Sequence, residues 1–197
     1  MPRQPDALLE DEGVLERSRV QDAMPYWAWL WDSAPDMVAT LAAGAIGPGA
    51  RVLEVGAGLG LVGLGLALSS GAHVTLTDYD PTALEAIPVQ AQLNGIDSVN
   101  VAHLDWRDPS SDPEGTFDVI VGCDVIYEGG AHLPLLELCG RLLAPGGVAW
   151  FADPGRSHRP RFLKRARERG FHVDLTGPAG AADEREGYAL IRLGSLA

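Results

Sequence analysis

The run Val52-Leu53-Glu54-Val55, followed at once by Gly56-Ala57-Gly58-Leu59-Gly60, constrains this chain more than any other segment. A short, largely apolar run that ends in glycines reads as a buried strand of a parallel sheet. The apolar, glycine-containing segment Leu61 to Leu68 reads as the helix that follows it. Glycines in such a turn let the backbone come close to a ligand. The helix start beyond it offers N–H groups with no partner inside the helix, which suits polar or anionic ligand atoms.

Spacing narrows the ligand. The dinucleotide-binding pattern needs a third glycine three residues after the second. Counting from Gly58 reaches Leu61, a bulky side chain where close helix–strand packing calls for hydrogen. The glycine stands instead at Gly60, and Glu54 precedes Gly56 by two. This Glu-x-Gly-x-Gly-x-Gly arrangement resembles the S-adenosylmethionine loop of the class I methyltransferases.

The rest of the chain alternates. Strands are expected over 51–56, 73–78, 99–103, 117–122 and 147–152, and helices near 60–69, 81–94, 131–143 and 159–169. An earlier helix is expected to start at Ser33-Ala34-Pro35-Asp36, with Ser33 as N-cap and proline early, and to end by Gly44 to Gly49. Alternating strands and helices imply a Rossmann-like, doubly wound α/β fold with a mostly parallel sheet and helices on both faces. The segments 171–176 and 187–193 read as two closing strands with no helix between them. They bring the sheet to seven strands, the last antiparallel.

A chain of 197 residues fits one domain, expected over 26–197 behind a polar leader at 1–25. No apolar run is long enough to cross a bilayer and the opening residues are charged, so neither membrane association nor a signal peptide is expected. Two cysteines, Cys123 and Cys139, make neither a disulfide framework nor a metal spacing, and the five histidines are scattered. A cytoplasmic, metal-free and monomeric protein is expected. The net charge of −12 disfavours nucleic acid as a partner and favours a cationic acceptor such as a lysine-bearing protein surface.

In an open α/β sheet the ligand crosses the carboxyl ends of the strands, so polar residues just after each strand are the candidates. Asp78 stands twenty residues beyond Gly58, where a carboxylate either accepts hydrogen bonds from both ribose hydroxyls or caps the helix before Pro81. Tyr79 is placed to cover an adenine face. Asp105 and Trp106 either take the adenine amino group and pack on the purine or belong to an ordinary loop. Cys123 is read as a small residue beside the cofactor and not as a nucleophile, because no basic residue is near it in sequence. Tyr26-Trp27-Ala28-Trp29-Leu30-Trp31 holds three of the five tryptophans. It reads either as a plug on the sheet or as a lid whose aromatic faces attract a sulfonium cation.

Together these residues resemble the seven-strand methyltransferases that modify protein lysines. The resemblance runs from about Tyr26 to Asp153 and rests on Tyr26 to Ala34, the glycine loop, and Cys123-Asp124-Val125-Ile126-Tyr127-Glu128. Asp153-Pro154-Gly155-Arg156 leans toward the subgroup acting on the β subunit of electron transfer flavoprotein. The resemblance implies S-adenosylmethionine as cofactor, with contacts from Trp31, Glu54, the Gly56-Ala57-Gly58 turn, Asp78 and Trp106. It implies Asp124 and Tyr127 at the mouth where the methyl acceptor enters. The acceptor is then a protein lysine or, as relatives on small amines suggest, a small-molecule amine; a catalytically silent cofactor-binding module is the third reading. Arg156 reads as a contact for an acidic partner or as a surface residue. The basic run from Arg156 to Arg169 reads as a solvated outer face.

Overall fold

The computed structural model describes residues 25–96, 99–177 and 180–194. The leader expected at 1–25 therefore lies, apart from Pro25, outside the described residues. Five helices and eight strands follow in order: α1 (Ser33–Ala42), β1 (Arg51–Val55), α2 (Leu61–Ser70), β2 (His73–Asp78), α3 (Pro81–Leu93), β3 (Asn100–His103), β4 (Phe117–Cys123), α4 (His132–Leu142), β5 (Leu143–Asp153), α5 (Arg159–Glu168), β6 (His172–Gly177), β7 (Gly180–Ala181) and β8 (Ala189–Gly194). Short 3-10 turns cover Tyr26–Ala28 and Pro109–Ser111.

The sheet order is β3-β2-β1-β4-β5-β8-β6-β7. Strands β1 to β5 pair in parallel, and β8 runs antiparallel to both β5 and β6. The expected seven strands and antiparallel closing strand are therefore present. The closing strand is inserted between β5 and β6. A two-residue β7, paired with β6, adds an eighth that was not expected. Strand β5 starts earlier than expected because its register against β4 shifts between Phe117 and Val119, which absorbs the Pro145-Gly146-Gly147 segment.

Alternation along the central strands sends apolar side chains to both faces. Leu53, Ile120 and Phe151 pack with Leu135, Leu142 and Phe162 of α4 and α5. Val52, Val121 and Ala152 pack with Met37, Leu66 and Ile87 of α1, α2 and α3 on the other side. Both faces are thus covered, as a parallel sheet requires. Among the described residues no helix is long and apolar enough to cross a membrane.

Helix α1 begins at Ser33 itself, not after it. Asp32 holds the cap position without a side-chain cap bond, and the Ala34 N–H finds the Trp31 carbonyl instead. Ser33 is consequently buried and is not the N-cap. The basic run forms the expected solvated face in part, with Arg161, Lys164, Arg167 and Arg169 exposed. Arg159 is fully buried, and Arg165 donates to the Gly129 carbonyl. Lys164, Arg167 and Arg169 pair with Glu168, Glu184 and Glu137. The helix that looked like a cationic face in sequence has most of its charge neutralised by neighbours that only the fold supplies.

Glycines within helices normally weaken them, yet α2 carries two. A Cβ on Gly63 would meet the Glu54 carboxylate and lie 2.8 Å from Leu76 Cδ2, so close packing on the sheet excludes a side chain there. Gly140 in α4 faces open space. Gly140→Ala should stabilise the protein by about 0.5–1 kcal/mol, whereas Gly63→Ala should destabilise it by about 1–3 kcal/mol through overpacking. Thermal denaturation of the two variants checks this, and an equal gain from both would contradict the packing argument.

Candidate active site

The glycine loop leaves β1 and turns under tight backbone control. Ala57 N–H donates to the Thr77 carbonyl at 2.9 Å, and Gly58 N–H donates to Asp78 Oδ2 at 2.9 Å. Gly58 sits at φ +54°, and a Cβ there would come within 2.8 Å of the Trp27 carbonyl oxygen, so both conformation and space demand glycine. Asp78 Oδ1 accepts the Asp80 N–H at 2.9 Å. The helix cap is Asp80, whose carboxylate accepts the Thr82 N–H at 2.8 Å. Asp78 is therefore a brace between the glycine loop and the end of β2, and burial pushes its carboxyl above the usual range.

Glu54 is buried beneath the loop, and its Oε2 accepts the Gly63 N–H of the first turn of α2 at 2.8 Å. It thus caps a helix from a neighbouring strand and satisfies one of the unpaired N–H groups there. Burial, with the nearby Asp78 charge as a smaller cause, pushes its carboxyl up to about 8.

These groups border one open cleft, with about 840 Å³ of free space counting its mouth. Trp31, Glu54, Gly56, Ala57, Gly58 and Asp78 line it. Tyr79, Trp106, Cys123, Asp124 and Tyr127 line it as well. The aromatic segment forms a wall of this cleft. Tyr26 packs against Trp29 and Trp31 at 6.4 and 6.3 Å between ring centroids, and edge-on against Tyr127 at 6.1 Å. Leu30, 65% exposed, and Tyr127, 43% exposed, stand at the mouth.

Asp105 stands apart. It faces an adjoining recess that shares Tyr79, Trp106, Val125 and Tyr127 with the main cleft. Its two oxygens take Arg107 Nε and Nη2 at 2.8 and 2.9 Å, and the Arg107 hydrogen bond holds its carboxyl below the usual range. Arg107 in turn lies 5.7 Å from the Tyr79 ring centroid. The Cys123 thiol is pushed up, mainly by burial and then by the Asp124 charge, which suits a packing residue and not a nucleophile.

Asp124 follows β4 at φ +57°, the one non-glycine residue with positive φ among the described residues. Its N–H is held by the Ala152 carbonyl at 3.0 Å. Strained backbone of this kind clusters at working sites. Arg156 donates to Asp124 Oδ1 from Nη2 at 2.8 Å and from Nε at 3.1 Å. The same guanidinium lies 5.3 Å from the Trp31 ring and 5.8 Å from the Tyr127 ring. Arg156 is neither a partner contact awaiting an acid nor a free surface residue. Pairing of β4 with β5 sets the two loops side by side, and no spacing in the sequence signals that neighbourhood.

A sequence profile described as lysine methyltransferase matches residues 29–169, most of the chain. The chain belongs to the lysine methyltransferase family. Its methyl donor is accordingly S-adenosylmethionine. Among its relatives is the protein N-lysine methyltransferase METTL21A of Danio rerio, 35% identical over 72% of this chain and 67% of that protein. Another is EEF1A lysine methyltransferase 3 of Mus musculus, 33% identical over 64% of this chain and 56% of that protein. The matched part thus spans between about half and two thirds of these relatives' own length. The solved structure of a methyltransferase from Pyrococcus furiosus superposes with a TM-score of 0.69 at 19% identity, covering 93% of this chain and 96% of that one. At that identity the likeness speaks for the fold, which is the class I methyltransferase sheet.

The Glu54 environment sets a pH dependence in this family member. Its carboxyl rises from 4.5 to about 8 on folding, so between those values the folded protein holds a proton that the unfolded chain releases. Stability from this group is full below pH 4.5 and is lost as pH rises toward about 8. Thermal unfolding of the ligand-free protein across that window should show a fall that Glu54→Gln lacks. Parallel curves for the two proteins would refute the assignment.

Proposed function

We propose that this chain transfers a methyl group from S-adenosylmethionine to the side-chain nitrogen of a lysine on a protein. The observation that carries this reading is the open aromatic mouth holding Asp124 and Tyr127 beside the glycine-loop cleft, in a chain of the lysine methyltransferase family. When bound, S-adenosylmethionine supplies an electrophilic methyl on a sulfonium cation.

The residues present suit that cofactor. Asp78 spends one hydrogen bond on each oxygen and keeps lone pairs for two ribose hydroxyls. Tyr79 and Trp106 offer rings for a purine, and the backbone of Gly56, Ala57 and Gly58 leaves room for close approach. Glu54 and Trp31 would meet the methionine end, the indole face attracting positive charge. Asp105, committed to Arg107, is the weakest cofactor candidate by position.

On the acceptor side the enzyme mainly aligns a nitrogen with a methyl carbon, which is proximity catalysis. Asp124 would orient the amine, and the Tyr127 hydroxyl would flank the same nitrogen. Tyr26, Leu30 and Tyr127 are exposed around the rim, with Asp80 on the cleft wall and Glu128 on the adjoining recess. An open rim fits a lysine presented on a protein surface, and the overall charge of −12 favours approach of a basic partner over nucleic acid. The proposal also takes the enzyme as a monomer of the cytoplasm, on the strength of its two free cysteines and single sheet.

Labelled S-adenosylmethionine added to a cell extract should place label in a protein band. Asp124→Asn should lower that transfer by about 10–100-fold, as loss of an aligning group does, while S-adenosylmethionine affinity changes by less than about twofold. Asparagine tolerates the left-handed backbone at this position, so the fold is kept. Label confined to small molecules would replace the protein acceptor with a small amine, and normal cofactor binding without any transfer would mark a silent module.

A further inference from the structure

The Arg156–Asp124 pair has a built geometry. Asp153 Oδ1 accepts the Gly155 and Arg156 N–H groups at 2.9 and 3.0 Å and Arg159 Nε at 2.7 Å. Both Asp153 and Arg159 are fully buried, so the backbone that carries Arg156 is fixed from below by an ion pair. From that base both Arg156 nitrogens reach one oxygen of Asp124 only, Oδ1. The Cys123 thiol, at 3.8 Å, is the weak contact of Oδ2. Asp124 lines the cleft, whereas Arg156 does not.

We infer that Arg156 is a positioning residue for methyl transfer, fixing Asp124 through Oδ1, leaving Oδ2 to the acceptor nitrogen, and keeping Asp124 from stabilising the protonated form of that nitrogen. This rests on the lysine-acceptor reading above. A lysine with its ordinary pKa of about 10.4 is more than about 99% protonated at pH 7, and an ammonium has no lone pair to give. A lone carboxylate beside it would favour the ammonium further. With Arg156 on the same carboxylate, the acceptor meets a pair of zero net charge. Asp124 can then accept an N–H hydrogen bond and aim the lone pair without stabilising the extra proton.

The step balances simply. The acceptor ammonium first gives one proton to solvent. Its nitrogen lone pair then forms the N–C bond as the C–S bond breaks, with the bonding pair left on sulfur. The positive charge passes from sulfur to nitrogen, and the methylammonium product rests beside Asp124.

Other titratable groups face this position from every side. Glu54 of β1 and Asp78 of β2 lie across the cleft, with Cys123 next in chain. Tyr127 and Glu128 follow β4, Tyr26 comes from the aromatic wall, and Tyr188 precedes β8 with Asp36 of α1 near it. Burial pushes the Tyr127 and Tyr188 phenols and the Cys123 thiol up, and Glu54 up to about 8. Arg156 is the cation that meets Asp124 directly.

The test compares wild type, Arg156→Gln and Arg156→Lys in single-turnover methyl transfer to a synthetic peptide carrying the labelled lysine of the acceptor band, from pH 6 to pH 11. Arg156→Gln should move the acid limb of the rate up by about one pH unit, losing about tenfold at pH 7 and only about threefold at pH 11. Arg156→Lys keeps the charge and should keep the limb in place. Calorimetric S-adenosylmethionine affinity and the melting temperature should be unchanged in both. A uniform loss at all pH values in Arg156→Gln, or an Arg156→Lys profile that follows the Gln variant, overturns the inference while leaving the lysine acceptor standing. Absence of wild-type transfer to any lysine overturns the acceptor reading and the inference with it.

Discussion

The parallel pairing of β1 with β4 is the interaction on which the site depends. The chain first builds outward from β1 through β2 to β3, then returns to place β4 on the other side of β1. The loops that leave β1 and β4 therefore diverge, and a crevice opens between them at the carboxyl ends of the strands. The register that sets Glu54 opposite Val121 brings the glycine loop and the Cys123-Asp124 turn out at the same level of the sheet. Asp78 then reaches across from β2 to tie down Gly58, and the Thr77 carbonyl of the same strand holds Ala57.

Charge is handled by a division of labour. Glu54 and Asp78 lie buried and spend their oxygens on backbone N–H groups, which turns two potential liabilities into supports for the glycine loop and for the start of α2. Asp153 and Arg159 form a fully buried pair, and Arg159 also bonds the Asp183 and Gly187 carbonyls. Removing either partner from such a pair leaves an uncompensated buried charge, at a cost of about 3–5 kcal/mol. That pair joins the end of β5, the start of α5 and the connection into β8, and it shapes the Pro154-Gly155-Arg156 turn. The strained Asp124 turn rests against this fixed base through its Ala152 hydrogen bond and its contact with Arg156.

Much of this was legible in the chain because the signals are local. The run Val52 to Gly60 carries strand, turn and helix start within nine residues, and the helix expected near 81–94 begins at Pro81. Asp78 ends β2, Trp106 lies three residues past β3, and Asp124 and Tyr127 lie one and four past β4, so all four fall near strand ends, where this architecture presents its ligand. Signals that depend on a partner far along the chain were not legible. Arg159 looks like its neighbours in a basic run, and only Asp153 and the 183–187 carbonyls make it a core residue. Asp105 and Arg107 are two residues apart, yet nothing local announces that Arg107 takes both carboxylate oxygens.

The sequence by itself determined the succession of strands and helices, the glycine turn and the residue types at each strand end, because hydrophobic period and backbone preference act over a few neighbours. Only the tertiary structure decided that β8 would slide between β5 and β6, that Glu54 would cap α2, and that Arg156 would close on Asp124 from 32 residues away. Each of these depends on strand order and register, which are settled by how two apolar faces pack as a whole and not by any short stretch of chain.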